Sequence, residues 1–364
     1  MLPYYVMVGV PAIFALYLSK IRGTARTKNK IVIDAFFLIW MILLCLRSEE
    51  VGTDLDIYKY HFMNYPRLSW RNIFSGILSG QFEAGYVLLS KLMSYVTSNF
   101  RWVIVSTAGI SVIPLWKLYR EEENAGFLSV VMFLNIASFP MYFSGLRQAM
   151  AMAFMVPCYR FCKEKRLWKF LPMVFLAFLF HRSALILLLM YPVYHARLKK
   201  QIHILYLLPL IGVVYYFKIP IFRFLFMFME GTYGDYSAGI HATGAYSVLL
   251  LLVVLLIYAF FVPEQQKMDE ETVGLRNLMI LSVLFQTFAG AHSIAMRMNY
   301  YYLPLIPLLI ARVVERSKMR YESLIKVSVI SMVLFFTIYY FYKAYTGTDI
   351  LQIYPYYPLW HKTI

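Results

Sequence analysis

Cysteine is nearly absent from this chain of 364 residues: Cys45, Cys158 and Cys162 are the only three. An odd count, each lying in or beside an apolar segment, excludes a disulfide framework. Cys158 and Cys162 stand four apart, but no further Cys or His is placed to complete a zinc site, so packing is their expected role. Acidic residues are scarce too, 19 against 35 Lys and Arg, which leaves a net charge of +16. No Walker loop, dinucleotide-binding glycine pattern or metal-ligand cluster is present. No cofactor and no metal site is therefore expected, and a reaction driven by ATP or a nucleotide sugar is disfavoured. The N-terminus, MLPYYVMVGV, lacks a basic leader and a small-residue cleavage site, so its apolar stretch is expected to be a retained span.

What the chain has in abundance is apolar length. Hydrophobic residues make up 61% of it, mean hydropathy is +0.61, and apolar segments recur almost throughout. The expected fold is all-α: a polytopic helical membrane protein, one integral domain over residues 1–364, with about 12 transmembrane helices. Short re-entrant or interfacial helices are expected on the outer side. The 31 tyrosines cluster near segment ends, where amphipathic rings favour the membrane–water boundary. In a soluble chain the positive charge would suggest nucleic acid. Here the bias of basic loops toward the cytoplasm and the anionic headgroups of membrane lipids account for much of it, and no nucleic-acid partner is expected. A basic chamber for phosphate would account for the rest.

Loop charge sets the orientation. Lys20, Arg22, Arg26, Lys28 and Lys30 follow the first span without an acid between them, and Arg160–Lys169 is similarly basic, so both should be cytoplasmic. Residues 47–82 then form an external loop with an interfacial helix: Gly52-Thr53-Asp54 reads as a turn and cap, and Leu55, Tyr58 and Phe62 would share one helical face. Residues 218–244 form a second external loop. Counting forward from Arg47 and backward from Arg160 leaves one crossing over. Either 83–96 is re-entrant or interfacial, or 70–78 hides a span.

Two apolar runs carry polar residues at depth. Arg147 and Gln148 interrupt Phe127–Tyr159, where an unpaired guanidinium costs at least a few kcal/mol unless it snorkels, pairs or faces water. The Ser144-Gly145 pair marks a break, and Ala149, Ala151 and Ala153 allow close helix approach. Snorkelling at a helix end is the alternative for Arg147. His181-Arg182-Ser183 interrupts Trp168–Tyr194, whose flanks are both basic. A hairpin with arms of about 13 residues, ~20 Å each, falls short of the ~30 Å of hydrocarbon, which would place His181 in a buried or water-filled cavity. One long tilted helix is the alternative.

The external half thus gathers Arg47, Arg147, Arg182 and Arg297, three histidines (His181, His241, His292), and carboxylates at Asp54, Asp56, Glu83 and Asp235. Arginines in a partly desolvated cavity make forked contacts to phosphate oxygens. A neighbouring carboxylate or imidazole can take a proton from a hydroxyl, and Asp54, Glu83 and His181 remain three alternatives for that base. Gln148, Tyr58, Asp235, His241 and Tyr300 are candidate sugar contacts.

These residues recur in ordered motifs: Arg47 with VGTD (51–54) and Tyr58, FEAGY (82–86), LRQAMA (146–151), FHRSA (180–184) and RMNYY (297–301). The set resembles the EpsG-type family of bacterial exopolysaccharide and O-antigen polymerases, the Wzy-like proteins, over about residues 40–310. The resemblance implies a multi-pass enzyme of the bacterial cytoplasmic (inner) membrane, its site facing the periplasm or exterior. It would join undecaprenyl-pyrophosphate-linked oligosaccharide repeat units without metal or nucleotide. Its partners would be those lipid-linked glycans, membrane lipids and a chain-length regulator. A flippase or exporter of lipid-linked oligosaccharide is the competing expectation, though no related halves are visible.

Overall fold

The computed structural model describes residues 2–79, 83–136, 138–198, 201–227, 246–263, 268–291, 293–317, 322–346 and 351–361. The described residues are helical apart from loops and two isolated β-bridges. In chain order the helices are α1 (Leu2–Ser19), α2 (Ala25–Leu46), α3 (Leu55–Asn64), α4 (Trp70–Leu78), α5 (Ala84–Val96) and α6 (Arg101–Glu121). Then come α7 (Phe127–Asn135), α8 (Met141–Ser144), α9 (Leu146–Ala153), α10 (Met155–Lys163), α11 (Leu167–Phe180) and α12 (Met190–Tyr194), with a 3₁₀ segment at Arg182–Leu189. The last are α13 (His203–Tyr216), α14 (Lys218–Met227), α15 (Tyr246–Phe261), α16 (Glu270–Ala289), α17 (Ser293–Asn299), α18 (Ile306–Glu315) and α19 (Glu322–Tyr345).

This is a helical membrane protein, but twelve long spans are not what the described residues form. Four helices, α1, α2, α6 and α16, are long and apolar enough to cross, and a fifth span results if α13 and the start of α14, bent by 73°, count as one. The apolar runs 127–163 and 167–194 are cut into shorter helices. Gly145 separates α8 from α9, Phe154 separates α9 from α10, and the extended backbone of His181 ends α11. The breaks at Gly145 and His181 fall at the small and polar residues that mark them in the sequence; the one at Phe154 has no such marker. The 47–82 region holds two short helices, α3 and α4, rather than one. Helix α4 has nine residues, about 14 Å, so it cannot be the missing span. In the 218–244 loop only α14 falls among the described residues.

Within lipid, tail–tail contact offers no net hydrophobic gain, so packing and hydrogen bonding hold helices together. Much of the packing is aromatic. Trp40 of α2 lies 5.0 Å from Phe133 and 4.9 Å from Tyr142 by ring centroid, and Tyr119 of α6 closes on Phe37 at 5.5 Å. Pairs of this kind each contribute about 1 kcal/mol beyond contact area. Helix α16 is the most enclosed long helix, started by Asp269, whose carboxylate accepts from Thr272 N at 2.7 Å. It packs against α12, α13, α15, α17 and α18.

The far end of α6 from Arg101 carries a clasp of charges. Arg312 of α18, almost fully enclosed, donates to Glu122 at 2.5 Å and to Glu271 at 2.9 Å, and Arg316 reaches Asp269 at 2.8 Å. Lys163 and the Tyr159 hydroxyl both meet Glu271 at 2.9 Å. Helices α6, α10, α16 and α18 are thereby tied together by mutually satisfied charges, the arrangement in which burying an ion is tolerable. Burial works against ionising Asp269, but hydrogen bonds from Thr272 and the Arg316 and Arg312 charges outweigh it and hold this carboxyl below its ordinary value.

Candidate functional site

Three interrupted segments meet to make a polar cleft. The first is the turn before α3. Gly52 has φ of +117°, which an L side chain rarely adopts, and a Cβ there would run into the Phe143 carbonyl. A glycine is therefore needed for the turn to lie directly on the Phe143–Ser144 backbone. Thr53 N donates to Ser144 Oγ at 3.2 Å. Asp54 occupies the N-cap position but makes no capping hydrogen bond, and its side chain lines the cleft instead. Leu55, Tyr58 and Phe62 are all buried on one face of α3. Burial pushes the Tyr58 phenol up despite the Arg147 charge beside it.

The second segment is α9. Of its eight residues only Arg147 is not buried, its side chain 42% exposed. The guanidinium lies 5.6 Å from the Tyr58 ring centroid, and Nε donates to the Tyr58 hydroxyl at 3.4 Å. Nη1 pairs with Glu83 Oε2 at 2.5 Å. Glu83 precedes α5, which approaches α11 closely enough that a Cβ on Gly85 would sit 3.0 Å from the Leu179 carbonyl. That approach brings the other carboxylate oxygen to His181: Oε1 lies 2.7 Å from Nδ1 and also accepts from Arg182 N at 3.4 Å. Both oxygens of a carboxylate that is only 9% exposed are thus engaged. Burial alone would raise Glu83, but the His181 hydrogen bond, the Arg147 charge and the Arg182 amide outweigh it and hold the carboxyl below its usual range.

The third segment is α17, which carries Arg297. Gln148 Nε2 donates to the Arg297 carbonyl at 2.6 Å, joining α9 to α17. Two residues on, buried Asn299 accepts from Ser282 at 2.6 Å and donates to Gln286 at 2.9 Å, which fixes α17 to α16. The resulting cleft, about 210 Å³, is lined by Asp54, Ile57, Tyr58, Met141, Gly145, Arg147, Gln148, His181 and Arg297. Gln148 Oε1 is buried without a hydrogen-bond partner, and His181 makes no hydrogen bond through Nε2 among the described residues. The cleft therefore offers two guanidiniums, a carboxylate, an imidazole nitrogen and an amide oxygen to one occupant.

Not every expected site residue reaches it. Glu83 lies behind the wall, supporting Arg147 and His181. Arg182 joins through its backbone amide, and its side chain is not part of the lining. Arg47 is fully buried elsewhere: its guanidinium donates to the Phe143 carbonyl and lies 5.2 Å from the Phe143 ring. Tyr300 is buried beside the cleft without lining it. Asp235, His241 and His292 lie outside the described residues. Asp56 is exposed on α3.

Several supporting contacts escape a reading of the sequence. Lys91, buried in α5, donates to the carbonyls of Tyr65 at 2.5 Å and Leu68 at 2.9 Å, closing the corner between α3 and α4. A lone cation in an apolar segment was a signal available for it, as for Arg147. Ser183 and Tyr301 join hydroxyls at 3.1 Å, linking the FHRSA and RMNYY motifs. Neither Ser144 nor Asn299 carries a charge that would single it out.

The fold and the cleft define a helical integral membrane protein with a cationic, partly enclosed polar site. The chain matches the EpsG family model over residues 30–357 and belongs to that family. Membership points to membrane polysaccharide polymerases in general. No curated protein and no solved structure matches the chain significantly.

Proposed function

We propose that this chain joins undecaprenyl-pyrophosphate-linked oligosaccharide repeat units on the outer face of the bacterial cytoplasmic membrane. The observation that carries the reading is that Arg147 and Arg297, from motifs 150 residues apart in the chain (297 against 147), line one cleft with His181 and Asp54. Two guanidiniums match the charge and oxygen geometry of a diphosphate. His181 serves as the base: Nδ1 is held by Glu83, leaving Nε2 for an acceptor hydroxyl, the orientation a carboxylate partner imposes on a working imidazole.

In the reaction the acceptor oxygen forms a bond to the anomeric carbon of the donor glycan as the bond from that carbon to the pyrophosphate oxygen breaks. The hydroxyl proton passes to His181, and the electron pair of the broken bond leaves with the lipid pyrophosphate, whose added charge falls on Arg147 and Arg297. Asp54 and the Gln148 amide oxygen accept hydrogen bonds from sugar hydroxyls, with Tyr58 as the floor beneath Arg147. Positive charge fixed in advance where negative charge develops contributes about 3 kcal/mol per well-placed donor. The cleft supplies that charge from the chain itself, so the reaction proceeds without a metal.

Purified protein in detergent, supplied with lipid-linked repeat units and no nucleotide, is the test. A ladder of products carrying two and more repeats is expected, and it should persist in EDTA. Intact binding of the lipid-linked unit with no ladder would overturn the reading in favour of a flippase or exporter.

A further inference from the structure

The C-terminal stretch 351–361 carries no charge pattern or motif of its own, yet it is bonded to both walls of the cleft. The Tyr4 hydroxyl donates to Ile353 O at 2.6 Å, Ser48 N to Tyr357 O at 2.7 Å, and Leu359 N to Leu46 O at 2.6 Å, which lays the stretch along α1 and the end of α2. Ile353 is fully buried. At its front, Gly52 N donates to Gln352 O at 3.0 Å and Ser144 Oγ donates to Leu351 O at 2.8 Å. The same Ser144 oxygen accepts from Thr53 N. One buried hydroxyl, donating once and accepting once, therefore joins the tail, the turn that ends in Asp54, and the break that begins α9.

We propose that residues 351–358 are a strap that sets the spacing between Asp54 and Arg147, with Ser144 as the positioning residue through which it acts. The proposal rests on the polymerase reading of the cleft. Thr53 and Ser144 each immediately precede a residue of the lining, Asp54 and Gly145. All three bonded partners of Ser144 and Gly52 on this seam are backbone groups, so a shift of the tail moves the walls themselves and not only a side chain. Reacting groups must be held within about 0.5 Å of their productive geometry, and a misplacement of about 1 Å costs up to 10²-fold in rate. A loop and a helix start 91 positions apart in the chain need such a tie.

The test uses the full-length protein in detergent with Ser144→Ala, which removes the hydroxyl and leaves the tail's other bonds. Deletion of residues 351–364 is the second variant, read only if it elutes as a folded species. Hydrogen–deuterium exchange over residues 48–56 reads the seam without reference to activity. Ladder kinetics on lipid-linked repeat units read the site. Exchange at the Thr53 amide should rise at least about tenfold in Ser144→Ala. The maximal rate should fall at least about tenfold while KM for the lipid-linked unit stays within about twofold, the pattern of a lost transition-state arrangement. Unchanged exchange overturns the strap whatever the kinetics. Faster exchange with wild-type kinetics reduces the tail to a structural support and also overturns it. If wild-type protein makes no ladder while the exchange result holds, the polymerase reading is what has failed, and the seam stands.

Discussion

Glu83 lies 2.7 Å from His181, a residue 98 positions later, while its second oxygen is paired with Arg147. One carboxylate therefore orients the imidazole and steadies a guanidinium on opposite sides of itself. Three of the motifs that carry the family resemblance, FEAGY, LRQAMA and FHRSA, are thereby parts of a single charge-linked unit.

If that unit handles a diphosphate, its arginines are needed for charge and for shape. Arg147→Ala and Arg297→Ala should each lower the initial rate of ladder formation by about 10²–10³-fold. Arg147→Lys should recover little, because an ammonium cannot reproduce the planar fork that spans Glu83 and Tyr58. Radiolabelled repeat units resolved on gels give the rates. Rates within threefold of wild type in either alanine variant would remove that residue from the site.

Acid should loosen the unit in a defined direction. Glu83 is held below its ordinary value, so the folded state keeps it ionised where the unfolded chain begins to bind a proton. The stability it contributes is present above the unfolded value of about 4.3 and is lost as pH falls through the lower folded value. Glu83→Gln should therefore be less stable than wild type by about 2 kcal/mol between pH 5 and 7. The gap should close under stronger acid. Thermal unfolding of both proteins across pH 3 to 7 measures it, and a gap that widens on acidification would contradict the assignment.

The charge clasp at the far end of α6 should matter for folding and not for the cleft. Arg312→Ala leaves Glu122 and Glu271 partly unpaired in an enclosed position and should cost about 3 kcal/mol. The joint replacement Arg312→Met with Glu122→Met should recover part of that loss, since it strands one carboxylate fewer. Melting temperatures in detergent provide the comparison, and ladder rates measured well below the melt should match wild type.

Lys91→Met should free the corner between α3 and α4. Three main-chain oxygens, those of Tyr65, Pro66 and Leu68, lose their donor, at a cost of about 2 kcal/mol. Limited proteolysis should then cut within residues 65–79 faster than in wild type. Equal cleavage rates would show that solvent or lipid headgroups replace the ammonium.

How much of this was legible beforehand follows from what burial costs. Arg147, Gln148 and His181 stood out because polar groups inside apolar runs need a reason, and the structure gathers them on one cleft with Asp54, Tyr58 and Arg297. Arg47 looked the same in sequence, a single cation at the end of an apolar segment. It differs only because a carbonyl 96 residues later meets it, which no local pattern announces. Ser144 was readable as part of a break, but its tie to the tail was not, for a related reason: those bonds go to backbone atoms, and any sequence has those. The helical character and membrane setting were plain from composition, while the number of spans was not. The breaks at Gly145 and His181 were marked by small and polar residues, but the further break at Phe154 was not, and it shortens an apolar run once more.

The engagement of Arg147 by Glu83 also bears on turnover. An unoccupied cationic pocket would draw in any stray anion and hold its spent carrier; this one contains its own counter-ion. On the polymerase reading proposed above, an incoming diphosphate would displace a carboxylate that stays tethered beside it, and on departure of the carrier the same carboxylate would close back on the guanidinium. Capture and release would in this way be set against each other within one side-chain pair, so that binding tight enough to catch a rare lipid would not become a trap for the product.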